Sequence, residues 1–136
     1  MIETMGNESV SITDTADIVR ARGAARSIAA HAGFGLADQT RLATAVSELA
    51  RNALHYAGGG LCEITDLTND AERRIKVVIE DHGPGIPDIE RAIQDGYSTG
   101  GGLGAGLPGT KRLMDVFMIE STVGLTRVCV EMIRPK

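Results

Sequence analysis

The sequence has few aromatic residues and no excess of positive charge. Its 136 residues include no Trp, two Tyr and two Phe, so we expect a core of aliphatic side chains rich in alanine. The formal net charge is −4, from 14 Lys and Arg against 18 Asp and Glu, and no basic cluster stands out. This balance argues against nucleic acid as the main partner.

Cysteines and long apolar runs are also scarce. Cys62 and Cys129 lie far apart within apolar runs, without metal-ligand spacing, so we interpret both as core residues in a reducing cytoplasm. A cross-strand disulfide is the less favoured alternative. No apolar run approaches the roughly 18 residues of a membrane helix, and no secretory signal is found, so we expect no membrane insertion. The length predicts one domain over residues 1–136.

Hydrophobic periodicity predicts long helices beside a sheet. Both long helices are expected to bury an apolar stripe, which includes Val19 in the first and Tyr56 in the second. The resulting class is α/β, a two-layer sandwich of helices on a mixed, mainly antiparallel sheet. The predicted helices are one capped by Asp14 or Thr15 that runs to Ala32 and is ended by Gly33, one capped by Asp38 that runs through Tyr56, a short one over 88–94 and one over 108–116. The predicted strands cover 9–12, 61–67, 75–79, 117–122 and 126–133.

Residues 95–112 form a glycine-rich loop that continues into a helical pattern at Pro108. Glycines permit close approach of the backbone to a ligand, and a helix N-terminus favours anions, above all phosphates. A flexible surface loop is the alternative. The run from Gly104 to Gly109 also fits G-x-G-x-x-G, but no hydrophobic strand precedes it, and Lys111 is misplaced for a Walker A motif. We expect Lys111, in the first turn of its helix, either to approach phosphate or to be solvated.

Glu48 and Asn52 stand four residues apart on the second predicted helix, which places both on one face. Mg²⁺ prefers oxygen ligands and is often held by one or two side chains plus phosphates, a role that Asn52 could fill. Glu48 could then accept the proton of a hydroxyl or a water that attacks the γ-phosphate. The alternative is a solvated helix face.

Asp81 ends a predicted strand and precedes a Gly-Pro-Gly turn. Because a carboxylate only accepts hydrogen bonds, it favours the exocyclic amine of adenine over the carbonyl of guanine. Gly83 and Gly85 would let a purine ring lie close to the backbone, with Ile86 beside it. An ordinary turn aspartate is the alternative.

Three motifs together resemble a known superfamily. The stretches Glu48-Leu-Ala-Arg-Asn52-Ala, Asp81-His-Gly-Pro-Gly85-Ile-Pro and Gly101-Gly-Leu-Gly-Ala-Gly-Leu107 look like the N, G1 and G2 boxes of the gyrase, heat-shock chaperone, histidine kinase and MutL (GHKL) ATPases. Within that superfamily the chain is most similar to the anti-sigma and stress-switch serine/threonine kinases, such as the switch kinases of the stressosome. The resemblance covers almost the whole chain and implies the Bergerat ATP-binding fold.

The resemblance also implies roles for single residues. Glu48 would be the general base, Asn52 the Mg²⁺ ligand and Asp81 the adenine reader, with Gly85 beside the ring. Thr126 would reach adenine through water, although Leu125 stands where these proteins usually have the glycine of a Gly-Thr pair. A lid over ATP would be formed by Gly101, Gly102, Leu103, Gly104, Ala105, Gly106 and Leu107.

The same resemblance implies a cytoplasmic kinase that uses ATP and Mg²⁺ to phosphorylate a serine on a STAS-domain protein. It would then bind and activate a PP2C-type phosphatase regulator, and a homodimer is left open. Two alternatives are an anti-sigma kinase that sequesters a sigma factor and a nucleotide-gated binding module without kinase turnover. A histidine kinase fragment is disfavoured because the chain has no room for a phospho-acceptor helical domain.

Overall fold

The computed structural model describes residues 7–85 and 106–136. The short helix predicted over 88–94 lies outside these residues. The described part contains eight elements, which are β1 (Asn7–Ile12), α1 (Thr15–Ala32), α2 (Leu36–Ala57), β2 (Gly60–Asp66), β3 (Glu72–Asp81), α3 (Gly106–Leu113), β4 (Val116–Thr122) and β5 (Leu125–Pro135).

The strands form one five-stranded sheet in the order β1-β2-β3-β5-β4. Every neighbouring pair among these strands is antiparallel, whereas the sequence prediction allowed a mixed sheet. The helices cover one face, and the side chains between the layers are buried, as at Ile64, Val77 and Val130. The predicted two-layer sandwich is confirmed. In the described part of the chain, no helix is both long and apolar enough to cross a membrane.

Helix α1 begins and ends where its caps predict. The side chain of Asp14 accepts a hydrogen bond from the backbone N–H of Asp17 at 3.1 Å. The side chain of Asp17 accepts one from the backbone N–H of Asp14, which completes a capping box. Gly33 ends the helix in the left-handed conformation, with φ of 96°. Val19, predicted to be buried, is 53% exposed, so that assignment was wrong.

Helix α2 begins two residues before the predicted cap. Gly35 is the N-cap residue, without a side-chain hydrogen bond, so the assignment of Asp38 as the cap was wrong. The Asp38 carboxylate is instead bound by Arg134 at 2.9 and 3.0 Å and by Arg41 at 2.7 Å. At the other end of α2, Tyr56 is 47% exposed rather than buried.

Helix α3 also differs from its prediction, because it runs from Gly106 to Leu113 rather than over 108–116. Pro108 is tolerated as the third residue, since the first four N–H groups of a helix lack intrahelical acceptors. Lys111 consequently lies in the last turn, and its placement in the first turn was wrong. Val116 belongs to β4.

The core is aliphatic, as the composition predicts, with Phe34 as a buried aromatic residue. Both cysteines are free thiols. Cys62 lies on β2 and Cys129 on β5, with β3 between them, so the alternative of a disulfide is excluded. Burial raises the pKa of Cys62 to about 12, which leaves this thiol protonated and unreactive.

Candidate functional site

A row of polar side chains crosses three strands at one end of the sheet. Asp81 on β3 is paired with Thr126 on β5, which is in turn paired with Ser121 on β4. Strand alternation places these side chains on the helix-covered face, in line with Ile79 and Val128. The hydroxyl oxygens of Thr126 and Ser121 are 2.6 Å apart, within hydrogen-bonding distance. The core therefore ends in a polar rim at this edge.

Asp81 is the charged member of that rim. Burial raises the pKa of its carboxyl group, while a hydrogen bond from the backbone N–H of Gly83, at 3.0 Å, and the nearby His82 oppose the change. Within residues 7–85 and 106–136, no Lys or Arg forms an ion pair with Asp81. The carboxylate is thus partly desolvated and retains acceptor capacity for a donor on a ligand.

The turn after Asp81 is packed tightly against its own protein. A Cβ at Gly83 would lie 2.5 Å from the Cβ of Ala57 on α2. Gly85 has φ of 84°, and a Cβ there would lie 2.4 Å from the carbonyl oxygen of Thr122 on β4. Both glycines are therefore required by packing within the protein, a reason that the sequence interpretation did not include, although it expected these glycines to permit positive φ, as Gly85 shows.

Helix α2 carries the second carboxylate of the region. The Glu48 side chain is 14% exposed and forms an ion pair with Arg51 at 2.5 Å. Asn52 follows one turn later and is half-buried. Ala57, which contacts the Gly83 turn, is nine residues beyond Glu48, or about 13 Å along a helix. The same helix therefore carries Glu48 and, farther along, a residue that packs against the turn beside the polar rim.

The first turn of α3 meets α2 at Glu48. The backbone N–H of Gly106 donates a hydrogen bond to Glu48 Oε2 at 3.3 Å. The buried hydroxyl of Thr110 donates to the carbonyl oxygen of Gly106 at 2.9 Å, which secures this turn. Leu107 packs against the core. A negative carboxylate at this helix N-terminus is electrostatically favoured.

The structure leaves part of the predicted site without description. Lys111 is exposed on α3. Among the residues that the structure describes, no group of three or more His, Cys, Asp or Glu could hold a metal ion. The predicted ligand-binding residues Ile86, Gly101, Gly102, Leu103, Gly104 and Ala105 lie outside the described residues.

Sequence reasoning missed two neighbours of the site. Ser121, the hydrogen-bond partner of Thr126, was not singled out, because cross-strand pairing cannot be read from one strand alone. Arg51 was not assigned a role either. Its position three residues after Glu48 is the spacing at which side chains on a helix meet, so that signal was present in the sequence.

Comparison with known proteins agrees with this architecture. Residues 12–134 match the histidine kinase-like ATPase domain family. The solved structures of the mycobacterial sensor histidine kinase MprB and of the catalytic domain of histidine kinase ThkA both align with a TM-score of 0.55. Their sequences are 20% and 19% identical to this chain, respectively. Each alignment covers 96% of this chain, together with 99% of the MprB structure and 97% of the ThkA structure. At this identity they establish the fold alone.

A closer sequence relative specifies the subgroup. The serine/threonine-protein kinase RsbT of Bacillus subtilis (strain 168) is 53% identical over 108 residues, which are 79% of this chain and 81% of that protein. The predicted membership of the GHKL stress-switch kinases is confirmed. The chain belongs to the histidine kinase-like ATPase family and, within it, to the serine/threonine-protein kinases related to RsbT.

Proposed function

We propose that this protein is a cytoplasmic ATP- and Mg²⁺-dependent serine kinase of a partner-switching stress pathway. Its substrate is a serine on a STAS-domain antagonist, and after phosphorylation it binds and activates a PP2C-type phosphatase regulator. The proposal is supported by the identity to a serine/threonine-protein kinase and by two separate carboxylates, Glu48 and Asp81, on one side of the sheet.

The observation that carries the proposal is the position of Glu48 beside the N-terminus of α3. The backbone N–H of Gly106 reaches the Glu48 carboxylate, and this helix end continues the glycine-rich loop. N-terminal helix N–H groups favour phosphate oxygens. A base that contacts this helix end is well placed to act on a hydroxyl that attacks a phosphate bound there.

The polar rim fits the adenine end of ATP. The Asp81 carboxylate, partly desolvated and without an ion-pair partner in the described ranges, suits the exocyclic amine of adenine. Thr126 lies beside it and shares its hydrogen bond with Ser121, so this pair can offer a hydroxyl to a ring nitrogen or to a bridging water. Gly85 and Ile86 would border the ring.

The chemistry of the side chains also fits Mg²⁺. The Asn52 carbonyl oxygen, one turn after Glu48, would be the protein ligand, since Mg²⁺ usually takes few protein side chains and completes its shell with phosphates and water. When bound, the ion neutralises charge on the phosphates. The lid residues Gly101, Gly102, Leu103, Gly104, Ala105, Gly106 and Leu107, and Lys111, would supply further contacts to the phosphates.

The proposed reaction is a direct phosphoryl transfer. The serine oxygen forms a bond to the γ-phosphorus while the bond from that phosphorus to the β,γ-bridging oxygen breaks, and ADP leaves with the electron pair. The serine proton passes to Glu48. The remaining task of the protein is to hold the attacking and leaving oxygens in line.

Substitution Glu48→Gln tests the assignment of the base. It keeps the size of the side chain but removes its capacity to take the proton, so we expect transfer from γ-labelled ATP to a STAS-domain partner to fall about 10²- to 10⁴-fold. Affinity for a non-hydrolysable ATP analogue, measured by calorimetry, should change little. Retained transfer would contradict the role of Glu48.

The same assay separates the alternative functions. ATP-dependent complex formation by the unsubstituted chain without a labelled phosphoprotein would indicate a nucleotide-gated binding module. Capture of a purified sigma factor would indicate an anti-sigma kinase. Sedimentation of the chain with and without nucleotide tests whether it forms a homodimer.

A further inference from the structure

Both oxygens of the Glu48 carboxylate are engaged, each by a donor from a different part of the fold. The Arg51 guanidinium binds Oε1 at 2.5 Å from the next turn of α2. The backbone N–H of Gly106, the first residue of α3, binds Oε2 at 3.3 Å. A glutamate side chain has three rotatable bonds, so two fixed donors restrict it far more than one.

We propose that Arg51 is a positioning residue for the kinase reaction, which holds the Glu48 carboxylate so that it faces the attacking serine hydroxyl. This inference rests on the proposed function of Glu48 as the base. Arg51 acts from within the same helix, while Gly106 ties the other oxygen to α3. The orientation of the base is thereby set jointly by α2 and by the helix that follows the glycine loop.

The two donors leave Glu48 able to accept a proton. A carboxylate offers about four lone-pair sites, and the contacts with Arg51 and Gly106 use two of them. The side chain is 14% exposed, so it is not fully enclosed by the protein. A carboxylate that is held in place and keeps acceptor capacity is suited to the role of a general base.

An ordinary surface ion pair is the competing explanation for Arg51, whose side chain is 40% exposed. Helix α2 provides a matched control for it. Asp38 and Arg41 have the same three-residue spacing, a distance of 2.7 Å and a comparable exposure of 50% for the arginine. Exposed pairs of this kind contribute little to stability, so an effect on catalysis separates the two explanations better than an effect on unfolding.

The test compares Arg51→Met, Arg51→Lys and Arg41→Met in steady-state transfer to a STAS-domain protein. Arg51→Met keeps the apolar stem but removes the donor, so we expect kcat to fall about 10- to 100-fold, because a small misplacement of a catalytic group is costly. KM for ATP should stay within about threefold of the unsubstituted value, since the nucleotide contacts are unchanged. Arg51→Lys should restore part of kcat, and Arg41→Met should leave it unchanged.

Two results would overturn the inference. An unchanged kcat in Arg51→Met would show that Glu48 needs no such support. A raised KM with constant kcat would make Arg51 a nucleotide contact instead. The double variant Glu48→Gln with Arg51→Met should be no slower than Glu48→Gln alone, because residues that act through one group are not additive. If Glu48→Gln itself is fully active, the proposed function fails before the inference is reached.

Discussion

Aspartate side chains lie at both ends of the paired strands β3 and β5, but their interactions differ. At the end where Arg73 is paired with Arg134, the Arg134 side chain binds Asp38 of α2 and Asp115, which precedes β4. At the opposite end, about 26 Å along the strand, Asp81 accepts a hydrogen bond from the backbone N–H of Gly83. One end is a charge network, and the other is a carboxylate that forms no ion pair with Lys or Arg in the described residues.

This difference is reflected in the acidities of the two groups. Hydrogen bonds from Arg134 hold the pKa of Asp38 below its ordinary value, although burial acts in the opposite sense. Burial raises the pKa of Asp81 above its ordinary value. A paired aspartate joins elements of the fold, whereas a partly desolvated aspartate is a cost to folding that is explained when a ligand supplies the missing donor. From this contrast we expect the first end to contribute to stability and the second to ligand binding.

The largest effect that would sharpen this contrast is expected from Asp81→Asn. The amide removes the negative charge and introduces a donor toward the adenine amine, and hydrogen bonds to charged groups are worth about 1.5–3 kcal/mol. Affinity for a non-hydrolysable ATP analogue should therefore fall about 10- to 100-fold, while the preference for adenine over guanine nucleotides becomes weaker. Calorimetric titration with both nucleotides measures these changes.

The matched control is Asp38→Asn, which alters an aspartate at the opposite end of the sheet. It should leave affinity for the ATP analogue within about twofold, because Asp38 is far from the polar rim. Equal losses of affinity in the two variants would show that the ends of the sheet do not have separate roles.

An effect on folding stability rather than on nucleotide affinity is expected from Arg134→Met. The arginine donates to Asp38 and to Asp115 Oδ2, at 2.9–3.0 Å, so its removal leaves two carboxylates with fewer donors. Breaking such partly buried contacts should lower the free energy of unfolding by about 1–3 kcal/mol. Urea denaturation measures the loss, and analogue binding at low denaturant should be unaffected. A stable variant with weakened nucleotide binding would reverse the assignment of the two ends.

Local signals in the sequence predicted much of this architecture. The cap at Asp14, the helix end at Gly33 and the alternation along β2 and β3 depend on neighbouring residues, so each could be recognised from a few positions. The positions of Glu48 and Asn52 on one helical face follow from the same local geometry.

Features that depend on distant residues could not be predicted in this way. Asp38 is a residue type that favours the N-cap of a helix, but its carboxylate is bound by Arg134, which lies 96 residues later. The helix α3, which starts at Gly106, packs against α2. The hydrogen bond between Thr126 and Ser121 is formed because β4 and β5 are paired. The roles of Glu48, Asn52 and Asp81 came from the combined motifs, and they stay predictions.

The smallest expected effect concerns how stability depends on pH at the two ends. Asp38 has a lowered pKa in the folded state, so its contribution is present above the unfolded pKa of about 4 and is lost as pH falls through the folded pKa. Asp81 has a raised pKa, so its contribution is present below about pH 4 and is lost as pH rises through the folded value.

Urea unfolding of the unsubstituted protein, Asp38→Asn and Asp81→Asn between about pH 3 and 7 tests both signs. Relative to the unsubstituted protein, Asp38→Asn should be less stable at neutral pH and Asp81→Asn slightly more stable, by about 1 kcal/mol or less, with both differences shrinking in acid. Differences of the same sign at neutral pH would mean that the two aspartates are held alike, and the contrast between the two ends would fail.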